Sequence, residues 1–147
     1  MADPVELVWS QRLPAPPERV WAEIVDRLWR DGAGMPPRPR MLDDGDAHGI
    51  GATRAIRLLP GVELVERITA GRWPSTFDYQ VVNPGWTTYP VRWHRGEVSL
   101  DPDPDGGTAL SWSVAFDPLP GARLPASWMT RAVIGRYLTV LEHALGE

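Results

Sequence analysis

The sequence predicts an α+β fold in which a curved antiparallel sheet wraps around one long C-terminal helix. Three observations lead there. A strand pattern and a helix pattern come first, a long run of strand patterns with short turns follows, and the chain ends in a single amphipathic helix pattern. Successive strands pair antiparallel, and a lone terminal helix has one place to bury its apolar stripe, across that sheet. A curved sheet closed by one helix leaves a cavity between the layers, the expected place for an apolar ligand.

The elements follow in order. Val5 to Leu13 alternates, with Val5, Leu7, Trp9 and Leu13 on one face, and reads as a strand. Pro14-Ala15-Pro16-Pro17 stops it, and Pro17 with Glu18 suits the first turn of a helix whose stripe is Val20, Trp21, Ile24 and Leu28. Glycine, proline and aspartate dominate from Arg30 to Gly49, which reads as a long loop holding a short strand at Arg40 to Asp43. Strands are then expected at Ile50–Leu59, Val62–Ala70, Thr76–Val82, Arg92–Leu100 and Thr108–Phe116. Turn chemistry separates several of them, at Pro60-Gly61, Asn83-Pro84-Gly85 and the Asp103–Gly107 run. The final helix is expected from Ala126 to Leu145, its stripe Met129, Val133, Tyr137, Val140, Leu141 and Ala144.

Parity assigns the faces. Leu110, Trp112, Val114 and Phe116 alternate with serines and alanine, so they point inward, and Phe77, Tyr79 and Val81 do so by the same reasoning. Gln11 shares the buried parity of its strand although it is polar. In the Pro60-Gly61 hairpin, one register sets Arg54 opposite Glu66, Ile56 opposite Leu64, Leu58 opposite Val62 and Arg57 opposite Glu63. A slip by one residue would set Arg54 against Arg67, a repulsive pair. The favoured register places an arginine and a glutamate on the apolar face.

Composition bounds the function. The 147 residues suffice for one domain, residues 1–147, with a real core. A net charge of −4 argues against a broad basic surface for nucleic acid. No apolar run approaches a membrane span, and Met1-Ala2-Asp3-Pro4 lacks the pattern of a signal peptide, so a cytoplasmic protein without membrane insertion is expected. All fifteen basic residues are arginine, which excludes Schiff-base lysine chemistry and a P-loop lysine. There is no cysteine, hence no disulfide framework. Gly49-Ile50-Gly51 lacks the third glycine of a dinucleotide fingerprint, and no Gly-x-Ser-x-Gly elbow is present. His48, His94 and His143 share no ligand spacing, and Asp43-Asp44-Gly45-Asp46 reads as a solvated turn, so no metal and no cofactor are expected.

Several segments together resemble the START-like, or SRPBCC, superfamily. Pro14-Ala15-Pro16-Pro17-Glu18-Arg19-Val20-Trp21 looks like its opening, Gly51-Ala52-Thr53-Arg54 and Val65-Glu66-Arg67-Ile68 like two of its strands, and Arg95-Gly96-Glu97-Val98 and Gly107-Thr108-Ala109-Leu110-Ser111-Trp112 like two more. The order and spacing match over nearly the whole chain. The resemblance implies the helix-grip fold with a ligand cavity, as in polyketide aromatase/cyclases, lipid carriers, the birch pollen allergen group (Bet v 1-like) and plant abscisic-acid receptors. In the receptor branch, positions matching Arg54, Glu66, Tyr79, His94 and Trp112 have inward parity. Two departures bear on ligand identity: His94 stands where many relatives carry tyrosine, and the Asp31–Asp46 segment only loosely resembles the usual second helix.

The candidate site follows from parity and chemistry. Arg54 with Glu66 is the sharpest pair: a buried guanidinium anchors a carboxylate or polarises a carbonyl, or the two residues simply satisfy each other. His94, Glu66 and Tyr79 are the candidates for moving protons, the alternative for His94 being a hydrogen-bonded core imidazole. Gln11, Tyr79, His94, Trp112 and Tyr137 are further ligand-contact candidates, and Ile56, Leu64, Phe77, Val114, Met129 and Val133 are expected to line the cavity. Trp86 and Tyr89 are read as guarding its mouth, or as holding their loop down.

The function expected first is a carrier or sensor, monomer or homodimer, for a small hydrophobic molecule with an acidic or carbonyl end. The alternatives are an aromatase/cyclase-type enzyme performing aldol condensation and dehydration, and a protein-interaction module whose cavity is filled by side chains. Whether the chain is an enzyme is left open by the sequence.

Overall fold

The computed structural model describes residues 3–32 and 38–146. Its elements are β1 (Val5–Leu13), α1 (Pro17–Ala22) continued by a π-helical segment (Glu23–Trp29), β2 (Arg40–Asp43), β3 (Thr53–Leu59), β4 (Val62–Arg72), β5 (Thr76–Val81), β6 (Val91–Pro102), β7 (Thr108–Pro118) and α2 (Arg123–Leu145). The strands form one curved antiparallel sheet in the order β1-β7-β6-β5-β4-β3-β2, with α2 as the closing helix. Of the loop expected from Arg30 to Gly49, residues 33–37 lie outside the described residues, and the short strand it was to hold is β2.

Pro17 stands at the start of α1, where its missing N–H costs nothing, and the Pro16 carbonyl accepts from the amides of Arg19 and Val20. The helix then widens. A π-helix bonds i to i+5 and so brings residues five apart onto one face. Ile24 and Trp29 thereby share a side, and Val25 and Trp29 join Val20, Trp21, Ile24 and Leu28 in the core.

Period-two alternation holds through the central sheet. Leu110, Trp112, Val114 and Phe116 of β7 and Phe77, Tyr79 and Val81 of β5 are all buried. The β3–β4 hairpin pairs Arg54 with Glu66, Ile56 with Leu64 and Arg57 with Glu63, the register that avoids like charges. It departs at the tip, where Val62 pairs with Leu59 instead of Leu58. A bulge there leaves Leu58 unpaired.

Two other expectations shift. β3 begins at Thr53, not Ile50, because the Asp46 carboxylate accepts from the amides of His48 and Ile50 and folds that stretch into a turn, with Gly49 and Gly51 at φ of +88° and +90°. The helix α2 begins earlier, at Arg123, and its buried face is Ala126, Thr130, Ile134, Leu138, Leu141 and Leu145. Met129, Val133 and Tyr137 therefore flank the buried stripe by one position and border the space between helix and sheet.

Candidate functional site: a cavity built around a buried ion pair

The helix and the sheet enclose a cavity of about 190 Å³. Its walls are mostly apolar, from Ile24 and Leu28 of the first helix, Ile56, Leu64 and Phe77 of the sheet, and Met129 and Val133 of α2. Engineered cavities of about 150 Å³ hold benzene, so this space suits a molecule of one or two rings.

Arg54, Glu66, Tyr79, His94, Trp112 and Tyr137 all border the same space. Two expected residues do not. Gln11 is half-buried on the edge strand β1, and its Nε2 donates to Glu142 Oε2 at 3.0 Å near the C-terminal end of α2, away from the cavity. Val114 is packed in the core; its sheet neighbour Gly96 is covered by the Tyr79 ring, which takes the wall position.

Arg54 is 3% exposed and organises the site. Its Nε and Nη2 donate to Glu66 Oε1 at 3.2 and 2.9 Å, and its Nη1 donates to the carbonyls of Leu28 and Trp29 at 3.1 and 2.9 Å. Nη2 also donates to the Tyr137 hydroxyl at 3.3 Å, and the guanidinium lies 4.1 Å from the centre of the Trp29 ring. A guanidinium has five N–H donors, and these bonds use all of them. The two carbonyls are end groups of the first helix, which lack partners within it. Arg54 thus closes that helix and ties it to β3. Burial opposes the charge, but Glu66 and Tyr137 outweigh it and hold the arginine's pKa above its ordinary value.

Of the two readings of Arg54, the geometry fits the one in which it and Glu66 satisfy each other, since all five of its donors are engaged within the protein. The groups with capacity to spare are others. Glu66 Oε2 accepts no hydrogen bond from a described residue, and Trp29 Nε1 and His94 Nδ1 are buried without a partner among them. Trp112 Nε1 donates to the Tyr79 hydroxyl at 2.9 Å. Burial, reinforced by the charge of Glu66, pushes Tyr79 far above the usual phenol range, so it remains a protonated donor.

His94 lies against the rings of Tyr79, Tyr89 and Phe116. Burial lowers its pKa below 6.5, against an opposing pull from Glu66, so the imidazole is neutral at neutral pH. Because the folded pKa is the lower one, the unfolded chain binds more protons below pH 6.5. The stabilisation is complete above that pH and is lost as pH falls through the window beneath it. Urea unfolding at pH 7.5 and 5.5 should show a smaller loss for His94→Phe than for the unaltered chain. Equal losses would mean that His94 titrates alike in both states.

Trp29 and Leu58 are lining residues that the sequence reading does not place at the cavity, whereas Tyr89 is read at its mouth or holding its loop. Trp29 is hidden because a 3.6-residue stripe does not predict π-helical spacing, although it stands four residues from Val25 and eight from Trp21, a usable signal. Leu58 reaches the cavity through the bulge. Tyr89 is buried, its hydroxyl donating to the Ala126 carbonyl at 3.3 Å, whereas its expected companion Trp86 is 65% exposed. The Asp43–Asp46 cluster is a turn held by its own backbone amides, with Asp43 Oδ1 accepting from Gly45. Among the described residues no three histidine or carboxylate groups are placed to hold a metal ion, and no helix is long and apolar enough to cross a membrane.

A sheet wrapped on a C-terminal helix around such a cavity defines a class of ligand-cavity proteins. The chain belongs to the polyketide cyclase / dehydrase and lipid transport family, whose model matches residues 4–144. Solved structures agree on the fold. Ara h 8.0201 superposes with a TM-score of 0.74 at 16% identity, covering 97% of this chain and 98% of that one. Norcoclaurine synthase from Thalictrum flavum gives 0.76 at 12% identity, covering 99% and 88%. A Thermobifida fusca protein gives 0.65 at 24% identity, covering 90% and 83%. No curated protein matches the chain.

Proposed function

We propose that the protein binds a small, mostly apolar molecule in the cavity between sheet and C-terminal helix and acts as its carrier or sensor. The observation that carries this reading is the site itself: apolar walls around about 190 Å³, with Trp29 Nε1 and His94 Nδ1 buried without a partner among the described residues and Glu66 Oε2 accepting from none of them. Unsatisfied buried polar groups are costly, and a bound molecule relieves that cost. The cavity is open space, which counts against an interaction module whose cavity is filled by side chains.

Native mass spectrometry of undenatured protein incubated with a lipophilic metabolite extract tests the reading. A discrete adduct is expected, and it should be lost in Val133→Trp, which places a bulky ring at a half-exposed cavity wall. Protein that stays empty in both forms would argue against it.

A second reading, an aromatase/cyclase-type enzyme for aldol condensation and dehydration, is favoured by one feature. Neutral His94, with an unpartnered ring nitrogen, borders the same cavity as the Glu66 carboxylate, so two groups able to take up a proton face one space. Turnover of the captured molecule, abolished by His94→Phe with binding retained, separates this from a carrier.

A further inference from the structure

If the cavity is a binding site, as proposed above, its polar groups restrict what end of a molecule it accepts. Glu66 Oε1 takes both bonds from Arg54, while Oε2 accepts none from a described residue. Trp29 is 5% exposed, its Nε1 lacks an acceptor among the described residues, and Arg54 lies over its ring. Both groups therefore stand around one guanidinium. The Tyr137 hydroxyl already accepts from Arg54 at 3.3 Å, so its own hydrogen is left to donate. The set is one bare anionic acceptor beside two donors.

Three kinds of polar end can be weighed against it. A carboxylate finds no free N–H on Arg54 and meets the negative oxygen of Glu66, a repulsive contact in a buried place. An ammonium adds a third charge to a cation and anion that already balance, leaving a buried positive charge without compensation. A neutral hydroxyl matches both demands: its O–H donates to Oε2, and its oxygen accepts from Trp29 Nε1 or Tyr137. A hydrogen bond to a charged acceptor is roughly twice as strong as a neutral one. The rings of Trp29, Phe77, Tyr79, Tyr89 and Trp112 around the space favour a flat aromatic body, which packs by edge and offset contacts.

We propose that the cavity selects a neutral, hydroxyl-bearing aromatic molecule of one or two rings, with Glu66 Oε2 as hydrogen-bond acceptor and Trp29 Nε1 as donor. From the sequence an acidic or carbonyl end is expected; the proposed end is phenol-like.

Calorimetric titration of the unaltered protein at pH 7.5 with four matched probes tests this: 2-naphthol, 2-methylnaphthalene, 2-naphthoate and 2-naphthylmethylammonium. The naphthol should bind about 10- to 100-fold more tightly than its methyl counterpart, the range one hydrogen bond to a charged group supplies, and naphthoate should bind least. Glu66→Gln keeps an acceptor for Arg54 and turns an amide N–H toward the cavity, so the preference should pass from 2-naphthol to 2-naphthaldehyde. Should that variant fold poorly, Trp29→Phe keeps a ring beneath Arg54 and removes the N–H with part of the indole; the lost volume acts on both probes, so the ratio of naphthol to methylnaphthalene affinity should fall several-fold. Equal affinity for naphthol and methylnaphthalene would overturn the hydroxyl selection while leaving the cavity a binding site. Tightest binding of naphthoate or of the ammonium would overturn it in favour of a charged end. If none of the four binds, the inference falls, and the native mass spectrometry adduct then decides separately whether the cavity binds a molecule at all.

Discussion

Arg54→Met is expected to destabilise the fold by about 3–5 kcal/mol, the cost of removing one partner from a buried ion pair. That is a large share of the roughly 5–15 kcal/mol that holds a small domain folded. Methionine fills much of the same volume, so the loss comes from polarity more than from space. Glu66 is left as a buried carboxylate without its cation, and the carbonyls of Leu28 and Trp29 lose the donors that closed the first helix. The double variant Arg54→Met with Glu66→Leu removes the stranded charge and should recover at least half of the loss, leaving the two carbonyls as the remaining cost. Urea unfolding followed by circular dichroism measures all three proteins. A single variant within about 1 kcal/mol of the unaltered chain would show that Arg54 is not the pillar its five hydrogen bonds suggest. From the sequence Arg54 is either a ligand anchor or half of a pair that satisfies itself. The expected loss follows from the second reading, in which every donor of the cation is engaged within the fold.

What the sequence reveals and what it hides follow from the kind of pattern that carries each feature. Period two survives in β5 and β7 because both strands bury one face, so Tyr79 and Trp112 were legible as inward residues. The Arg54–Glu66 pairing was legible because a one-residue slip juxtaposes like charges. The partners that complete Arg54's hydrogen bonding were not, since they are backbone carbonyls of Leu28 and Trp29, and any two residues would present the same groups there. Trp29 itself was obscured by helical geometry. Gln11 has the buried parity of its strand, but β1 is an edge, and the far end of α2 offers it Glu142 rather than the cavity. In α2 the buried residues Ala126, Thr130, Ile134 and Leu138 lie one position along from the larger side chains Met129, Val133 and Tyr137. The expected stripe captured Met129, Val133 and Tyr137 of the cavity wall and the buried Leu141, and missed Thr130 and Ile134, which are buried and line the same space. The fold was therefore readable from periodicity, whereas the chemistry of the site depends on which donors are already satisfied.

Gly96→Ala should destabilise the protein by about 2–5 kcal/mol, combining overpacking of the core with the stranding of an indole N–H. Gly96 pairs with Tyr79 across β5 and β6, and a Cβ built on Gly96 would lie 2.2 Å from two carbons of the Tyr79 ring and 2.6 Å from its hydroxyl oxygen. No rotamer adjustment of an alanine relieves such a contact, so the ring must leave the strand. In doing so it withdraws the oxygen that accepts from Trp112 Nε1 and its edge contact with Trp29, whose ring centre stands 5.7 Å away. The glycine is thus a packing device: by having no side chain it lets an aromatic residue lie flat over the sheet and form part of the cavity wall. The double variant Gly96→Ala with Tyr79→Leu separates this cause from the backbone preference of glycine. Leucine does not extend over β6, so adding the methyl group should cost much less in the Tyr79→Leu background than in the unaltered one. Thermal unfolding of the four proteins gives the coupling between the two sites directly. If Gly96→Ala costs the same in both backgrounds, its effect arises in the strand backbone and the Tyr79 ring is not held by that glycine. If the cost vanishes in the Tyr79→Leu background, the size of residue 96 determines where the Tyr79 ring sits, and with it the shape of the space a ligand must fit.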